Sequence, residues 1–251
     1  MRPSFRTARP MEITRLDADS ATTYFVHTDV VNWVLLEQNG ELTLIDGGYP
    51  GQAGQVIESI NRIGRRPEDI RGALLTHAHV DHLGGLAKLQ VRYGFPVYMD
   101  PVEVDHALRH HLQQANALDL APLVGTRRLW SWLAKTTPLG VLSRAGLSAA
   151  ESFPGKLDLP GSPVPVASHG HSSYLVGDGR ALVSGDALVS GHEVSAIVGP
   201  QCIPSPFQHD EATARRSVER FTELDAELLL AGHGPLYRGS VADAAHRALA
   251  L

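Results

Sequence analysis

Short apolar runs alternate along the chain with amphipathic runs of helical period, a pattern typical of an α/β fold. Residues 30–37 and 41–45 are apolar runs joined by a Gln-Asn-Gly turn, which predicts a β-hairpin. Between residues 52 and 63, apolar side chains recur every three or four positions, which predicts a helix with one buried face. Two further short strands are predicted at 73–76 and 97–99.

The second half of the chain repeats this scheme. A strand at 164–168 is followed by a predicted hairpin of 173–176 with 181–184, joined by a Gly-Asp-Gly turn. A helix is predicted over 210–224, and a strand over 227–231. Several strands in both halves end abruptly in His or Asp. Because an α/β fold exposes its chemistry at strand ends, these positions are the candidates for a functional site.

Residues 101–155 interrupt the alternation. The segment is rich in Leu and contains Trp130 and Trp132, and we expect helices over 102–118 and 126–142 with no strand between them. We therefore interpret the chain as one domain, 1–251, that carries a helical insertion at 101–155. Two roles stay open for the insertion: extra packing or an oligomer contact, and a lid over an apolar substrate pocket.

Composition narrows the class of protein. The 251 residues include 22 Lys plus Arg and 27 Asp plus Glu, and 43% are hydrophobic, as in ordinary soluble globular proteins. The net charge of -5 and the absence of a basic block argue against a nucleic-acid partner. No run approaches the ~20 apolar residues of a membrane span, and the basic start has no apolar run behind it. We expect a cytoplasmic protein with a small-molecule substrate and no membrane partner, and a homo-oligomer stays open.

The chain has 13 histidines and one cysteine. A single cysteine, Cys202, cannot form an internal disulfide, which fits a reducing compartment. Any transition metal would then be bound by His, Asp or Glu rather than by paired thiolates. We expect Cys202 to be a packing residue rather than a nucleophile. His106 and His110 are four apart on a predicted helix but lack a third ligand, so we expect them to be solvated or to line a pocket.

The densest group of possible ligands follows the strand predicted at 73–76. His77, His79, Asp81 and His82 lie within six residues, and Gly84-Gly85 follows them. On a tight loop the first two side chains can point one way and the last two another. Imidazole and carboxylate are good ligands for Zn²⁺ and also bind iron or manganese. The loop therefore predicts two adjacent metal ions.

This His-x-His-x-Asp-His loop resembles the signature of the metallo-β-lactamase-fold hydrolase superfamily, and the resemblance covers about residues 24–236. It implies an α/β protein of the four-layer αβ/βα sandwich type, built from two similar halves. It also implies further site residues. Asp46, after the strand at 41–45, would support a ligand histidine from behind. His171 would be the third histidine, with His169 beside it as a rival, and Asp186 and His233 would complete the set.

The resemblance implies a chemistry for this set. One ion would be held by His77, His79 and His171, and the other by Asp81, His82 and His233, with Asp186 bridging. The cofactors would be two divalent ions, Zn²⁺ before Fe or Mn, and Asp81 and Asp186 would be catalytic. A hydroxide held by the two ions would attack the carbonyl of an ester, thioester or lactone with an apolar acyl group. Tyr174 and His169 are candidates to contact substrate or stabilise an oxyanion, although the place of Tyr174 on a strand favours packing.

Several subclasses of the superfamily can be compared with the chain. The β-lactamases generally lack the bridging Asp, and the flavodiiron proteins have Glu where His79 stands. The glyoxalase II and lactonase branch is nearest, but glyoxalase II carries a basic C-terminal helical domain where this chain has 18 residues after His233. The lactonases tend to have Tyr where Val189 stands. Two other classes stay open: a mononuclear iron enzyme resembling persulfide dioxygenase, and a metal-containing binding protein without turnover.

Overall fold

A computed structural model describes residues 10–153, 157–167, 171–208 and 210–251. These residues form twelve strands and six α-helices. The helices are α1 (Ala53–Arg62), α2 (Val80–Tyr93), α3 (Pro101–Ala107), α4 (Arg127–Thr136), α5 (Glu211–Phe221) and α6 (Val241–Leu249). The strands are β1 (Met11–Asp17), β2 (Thr22–Thr28), β3 (Trp33–Gln38), β4 (Glu41–Ile45), β5 (Ile70–Leu74), β6 (Val97–Met99), β7 (Glu151–Ser152), β8 (Val164–Ala167), β9 (Ser172–Val176), β10 (Ala181–Gly185), β11 (Leu228–Ala231) and β12 (Tyr237–Arg238).

The first sheet has seven strands in chain order, β1 to β7. Its first four strands form an antiparallel meander, and β4 to β7 then pair in parallel. Asn39 and Gly40 both have left-handed φ angles, 54° and 87°, between β3 and β4. Two consecutive left-handed residues make the turn whose twist matches a hairpin. The predicted hairpin is therefore confirmed.

The second sheet has five strands in the order β12-β11-β10-β9-β8. The pairing of β10 with β11 is parallel and the others are antiparallel. The turn between β9 and β10, Gly177-Asp178-Gly179, has positive φ at all three residues. This second predicted hairpin is also confirmed. The structure likewise contains the strand predicted near 227–231 and, as α5, the helix predicted over 210–224.

The two sheets face each other, and helices cover both outer faces. Alternation along β3 explains how one strand serves two layers: Val34 and Leu36 pack with Tyr174 of the second sheet, whereas Leu35 packs with Val56 of α1. The outer face of the second sheet is covered by α5 and α6 through residues such as Phe221 and Ala244. The fold is therefore the four-layer αβ/βα sandwich that the resemblance implied.

The insertion differs from the sequence expectation. Helix α3 ends at Ala107 rather than near residue 118, because Arg109 has a left-handed φ of 64° and its side chain is held by distant backbone oxygens. Helix α4 ends at Thr136, and a short 3-10 turn and Gly140 follow it. A two-residue strand, β7, which was not predicted, follows both helices near the end of the insertion and pairs in parallel with β6. Two residues are too few to show a strand period.

Three other strands, β1, β2 and β12, and helix α6 were not predicted from the sequence. Strand β1 is an edge strand with alternating half-exposed positions, so its apolar signal is weak. Strand β3 begins at Trp33 rather than at Val30, because the Thr28 hydroxyl donates to the Val31 carbonyl at 2.6 Å and closes a turn there. Among the helices of the described residues, none has the length and apolar character that a membrane span requires.

Candidate metal centre

The His-rich loop joins β5 to α2 at the edge of the first sheet. His79 is the residue before α2, and its carbonyl accepts the backbone N–H groups of His82 and Leu83 at 3.1 and 3.0 Å. Asp81 and His82 therefore lie in the first helical turn, while His77 and His79 lie on the loop before it. The rings of His77 and His79 converge, with Nε2 of the former 3.0 Å from Nδ1 of the latter.

Two glycines let α2 approach the loop after β4. A Cβ on Gly85 would lie 1.9 Å from the carbonyl oxygen of Gly47, and a Cβ on Gly84 would lie 2.3 Å from Pro50. This close approach allows the Gly47 N–H to donate to the His82 carbonyl at 2.8 Å. The glycine pair in the motif is therefore what brings His82 against the strand end that carries Asp46.

Asp46 fixes the orientation of two histidines. Its Oδ2 accepts from Nδ1 of His82 and from the hydroxyl of Thr76, both at 2.8 Å, and its Oδ1 accepts the Thr76 N–H at 2.9 Å. Because the Thr76 hydroxyl gives its proton to Asp46, it accepts from Nδ1 of His77, 3.1 Å away. Both histidines then carry their protons on Nδ1, which leaves Nε2 free to bind a cation.

The second sheet supplies the other half of the cluster. Asp186 follows β10 and His233 follows β11, and His233 Nε2 lies 3.3 Å from Asp186 Oδ1 and 3.4 Å from Asp81 Oδ2. Nδ1 of His233 donates to the Val30 carbonyl at 2.6 Å, so Nε2 again faces the cluster. Asn32, which the sequence analysis missed, holds this turn by donating to the carbonyls on both sides of it, at Ala231 and Gly234.

His171 joins the cluster from the start of β9. Its ring stacks on that of His77 at 4.4 Å between centroids and lies 6.3 Å from that of His79. The following residue, Ser172, donates its N–H to the Thr76 carbonyl at 2.7 Å, which ties the two loops together. The rival candidate His169 lies outside the described residues.

Two overlapping groups in the described chain have metal-site spacing: His77, His82 and Asp186, and Asp81, His82 and His233. Within each group the ligand atoms all lie within 4.8 Å of one another. In the described structure, Nε2 of His82 and Oδ1 of Asp186 are buried without a hydrogen-bond partner, although they lie 3.2 Å apart. Buried polar atoms without partners are costly. A cation between them would satisfy both, so the residues present fit a metal.

Electrostatics divide the cluster into two parts. Burial, with the nearby His77, lowers the pKa of His79 well below 6.5 and that of His171 to about 4, so both are neutral ligands at ordinary pH. Burial also disfavours charge on His233, but the carboxylates of Asp186 and Asp81 outweigh it and raise its pKa to about 10. The pKa of His82 is likewise raised well above 6.5, because nearby carboxylates outweigh the effect of burial. Without a cation, this half of the cluster holds protons in its place.

Two cavities flank the cluster, and both reach His79 and Asp186. The larger has a volume of about 390 Å³ and a mixed lining, with polar residues such as Glu103 and Gln113 and apolar ones such as Ile203 and Phe207. The smaller has a volume of about 80 Å³ and lies beside Asp81 and His233. Its wall is largely apolar: Tyr49, Val80, Leu120, Trp132, Leu133, Val141, Leu142, Ile203 and Phe207.

His192 also lies beside the cluster, although it lacks ligand spacing in the sequence and was given no function. Its ring centroid is 4.7 Å from that of His233 and 5.0 Å from that of Phe207, in the wall of the smaller cavity. Its Nδ1 accepts the Val194 N–H at 3.3 Å. Burial and the neighbouring His233 lower the pKa of His192 to about 3, so this imidazole is neutral and carries its proton on Nε2.

The other histidines and the tyrosine considered from the sequence have different surroundings. Tyr174 is fully buried between the sheets, and its hydroxyl donates to the Leu75 carbonyl at 2.8 Å, so it packs there and does not offer its proton to the centre. His106 is buried and hydrogen-bonded to Glu103, whereas His110 is exposed beside Asp105. Cys202 is half-buried and packs against the apolar core between the second sheet and helices α5 and α6.

With this geometry described, comparison with known proteins identifies the family. The family model "Metallo-beta-lactamase superfamily" matches residues 28–233. The chain therefore belongs to the metallo-β-lactamase superfamily. It is 25% identical over 233 residues to "Probable metallo-hydrolase YflN" of Bacillus subtilis (strain 168), a match that covers 87% of this chain and 82% of that protein.

A shorter match links the chain to a named hydrolase. It is 33% identical over 89 residues to "Hydroxyacylglutathione hydrolase" of Serratia proteamaculans (strain 568), which covers 35% of this chain and 33% of that protein. Among solved structures, "Rm3 metallo-beta-lactamase" superposes with a TM-score of 0.64 at 19% identity, covering 91% of this chain and 88% of that one. At this identity the likeness shows the fold alone.

Proposed function

We propose that the protein is a metal-dependent hydrolase that cleaves a carboxylic ester, thioester or lactone with an apolar acyl group. The observation that carries this proposal is the His and Asp cluster, with its two buried polar atoms that lack partners, beside a cavity with an apolar wall. The partial similarity to a hydroxyacylglutathione hydrolase supports a carbonyl substrate of the ester or thioester class.

The proposed metal ligands follow the two halves of the cluster. His77, His79 and His171 would hold one divalent ion. Asp81, His82 and His233 would hold a second, and Asp186 would contact both. Zn²⁺ suits this set of imidazole and carboxylate ligands best, with iron or manganese as alternatives. When bound, such a pair of ions lowers the pKa of a water molecule toward neutrality and polarises a substrate carbonyl.

The chain's own residues orient the ligands and handle protons. Asp46 directs Nε2 of His77 and His82 toward the cluster by accepting hydrogen bonds on the other side of the rings, through Thr76 for His77, and the Val30 carbonyl does the same for His233. Asp81 is the more accessible of the two central carboxylates, with 16% of its side chain exposed against 5% for Asp186. Asp81 Oδ2 is therefore the atom best placed to take a proton from water and return it to a leaving group.

The smaller cavity supports the choice of an apolar acyl group. Trp132 and Leu133 of α4 line this cavity together with Asp81 and His233. Part of the 101–155 insertion therefore borders the cluster, which favours the role of a lid over that of remote packing. An acyl chain in this cavity would displace water from the catalytic side of the cluster. His192, neutral and with its proton on Nε2, would be a polar group, together with Gln114, in a largely apolar wall.

The test combines metal analysis with a substrate screen. Purified protein is expected to contain about two metal ions per chain and to hydrolyse nitrophenyl esters, thioesters or lactones, with kcat/KM rising as the acyl chain lengthens to fill the cavity. Asp186→Ala and His82→Ala should each lower kcat/KM by about 10³-fold or more. His110→Ala, at an exposed histidine outside the cluster, is the matched control and should keep wild-type activity.

Two outcomes would contradict the proposal. Full activity in a metal-free Asp186→Ala/His82→Ala double variant would exclude metal-dependent hydrolysis at this site. Iron as the sole metal, at one ion per chain and without ester hydrolysis, would instead favour the mononuclear iron class.

A further inference from the structure

The peptide groups on both sides of Ala78, between the ligand candidates His77 and His79, are held by two side chains of the insertion. The Ala78 N–H donates to Oε2 of Glu103 at 2.8 Å. The Ala78 carbonyl accepts from Nη1 of Arg109 at 2.9 Å. Ala78 itself is fully buried, and so is almost all of Glu103. Glu103 and Arg109, which lie 25 and 31 residues further along the chain, thus bind the N–H and the carbonyl of the same residue.

These two hydrogen bonds restrain the φ and ψ angles of Ala78, which set the relative orientation of the peptide groups next to the two histidines. The N–H of Ala78 belongs to the peptide plane shared with His77, and its carbonyl belongs to the plane shared with His79. The φ and ψ angles of Ala78 are the rotations between those two planes. Holding both planes therefore holds the two imidazoles in the convergent arrangement seen here, with their facing nitrogens 3.0 Å apart.

Further hydrogen bonds hold the side chains of Glu103 and Arg109 in place. Oε2 of Glu103 also accepts from Nδ1 of His106 at 3.2 Å, and Nε2 of His106 accepts the Gln113 N–H at 3.2 Å. Nε of Arg109 donates to the Ala145 carbonyl at 3.1 Å. Gly146 leaves room for the arginine, because a Cβ there would lie 2.5 Å from Cγ of Arg109. Both residues are therefore presented by well-fixed segments of the insertion.

We propose that Glu103 and Arg109 are positioning residues that preorganise His77 and His79 for metal binding, so that this part of the insertion sets metal affinity. Hydrogen bonds to charged partners in a buried setting are stronger than neutral ones, which suits them to hold a loop against the pull of a cation. The proposal goes beyond the proposed hydrolysis, because it concerns metal binding whatever the reaction. Groups that orient metal ligands in this way typically change metal affinity by about 10–100-fold when removed.

The test measures zinc affinity by competition with a chromophoric chelator, together with the visible spectrum of the Co²⁺-loaded protein. We expect Arg109→Ala and Glu103→Ala to weaken zinc binding by about 10–100-fold and to change the Co²⁺ bands. Glu103→Gln keeps the shape and one acceptor oxygen, so its affinity should lie between those of Glu103→Ala and the wild type. Arg71→Ala and Glu41→Ala remove an exposed ion pair elsewhere and should bind zinc as the wild type does.

Unfolding of each metal-free variant in urea separates positioning from general stability. A purely structural role would lower the urea midpoint and leave the Co²⁺ spectrum of the folded, loaded protein unchanged. If Glu103→Ala does not fold, Arg109→Ala and Glu103→Gln decide, since the arginine is only partly buried and the glutamine preserves packing. Wild-type zinc affinity and Co²⁺ bands in the folded variants would overturn the proposal. Absence of metal binding by the wild type would overturn this proposal together with the proposed function, whereas zinc binding without ester hydrolysis would count against the proposed function alone.

Discussion

A single carboxylate, Asp46, shows how much of the centre depends on one residue. It has a left-handed φ of 59°, unusual for a residue other than glycine, and is almost fully buried. Aspartate is one of the few residues that tolerate this conformation. Its two oxygens accept three hydrogen bonds, and these bonds determine which nitrogen of two histidines is free. The backbone conformation at Asp46 therefore serves the chemistry of residues on the loop and helix that follow the neighbouring strand.

Replacing this carboxylate should impair the centre without unfolding it. In Asp46→Asn one of the two acceptor oxygens becomes an NH2 donor, which would face either the Thr76 N–H or the Thr76 hydroxyl and His82 Nδ1, so the amide cannot accept all three hydrogen bonds. We expect kcat/KM and zinc affinity to fall by about 10–100-fold. Asp178→Asn is the matched control, because Asp178 has nearly the same φ, 57°, but is exposed in a hairpin turn. Equal behaviour of the two variants would show that Asp46 does not orient the ligands.

At the scale of elements, the approach of α2 to the loop after β4 is set by glycine. Gly85→Ala would place a Cβ within 1.9 Å of a backbone oxygen, which cannot move without shifting the loop that carries Asp46. We expect a loss of about 1–3 kcal/mol in the free energy of unfolding, with a parallel loss of metal. Urea denaturation and metal content measure the two effects.

A helical glycine elsewhere provides the contrast. Gly54 in α1 is exposed, and a Cβ there would meet nothing within 4 Å. Gly54→Ala should therefore raise the free energy of unfolding by about 0.4–1 kcal/mol. If Gly85→Ala were as stable as the wild type, the close contact between α2 and the loop would not be what holds His82 in place.

Elements were predictable from the sequence where local chemistry determines them. The β3–β4 hairpin was predictable, because Asn39 and Gly40 adopt left-handed angles that these two residue types tolerate. The end of α3 was not predictable, since no residue near Leu108 in the sequence forbids another helical turn. The helix ends there because Arg109 is bonded to Ala78 and Ala145, both more than 30 residues away in sequence. Interactions of this kind are invisible to a periodicity argument.

The residues of the candidate site were also predictable only where they lie close together in the sequence or match the family motif. His77, His79, Asp81 and His82 share one loop, so their pattern is visible in the sequence, and the family resemblance extended it to Asp186 and His233. Glu103, Asn32 and His192 were missed because their partners lie far away along the chain and no spacing links them. The fold class and the family are confirmed, whereas the assignment of individual ligands stays a prediction.

At the scale of the whole molecule, the centre lies where the two sheets meet at their strand ends. The first sheet supplies Asp46 and the His-rich loop, and the second supplies His171, Asp186 and His233. The contacts between Asp186 and the histidines of the other half therefore also join the two halves of the sandwich. A metal bound here would bridge both halves, so its removal should be felt in the stability of the entire fold.

The charge balance of the centre predicts how that stabilisation depends on pH. In the metal-free protein, the carboxylates raise the pKa of His233 from 6.5 to about 10. A raised histidine pKa stabilises the fold fully below about pH 6.5, and this contribution declines as the pH rises through about 10. A bound cation replaces those protons, and its affinity increases as they leave. The increase in Tm given by zinc over a chelator should therefore grow between about pH 7 and about pH 9.

Thermal unfolding at constant ionic strength, with zinc or with a chelator, measures this difference directly. The same experiment with His110→Ala should give the wild-type profile, because that histidine is exposed and remote from the cluster. Calorimetric titration of zinc in two buffers of different ionisation enthalpy should also show release of about one proton per chain near pH 8 from His233, with a further contribution from His82, whose pKa is raised in the same direction. A zinc-dependent increase in Tm that is constant across this range, without proton release, would mean that the ion binds somewhere other than between these histidines and carboxylates.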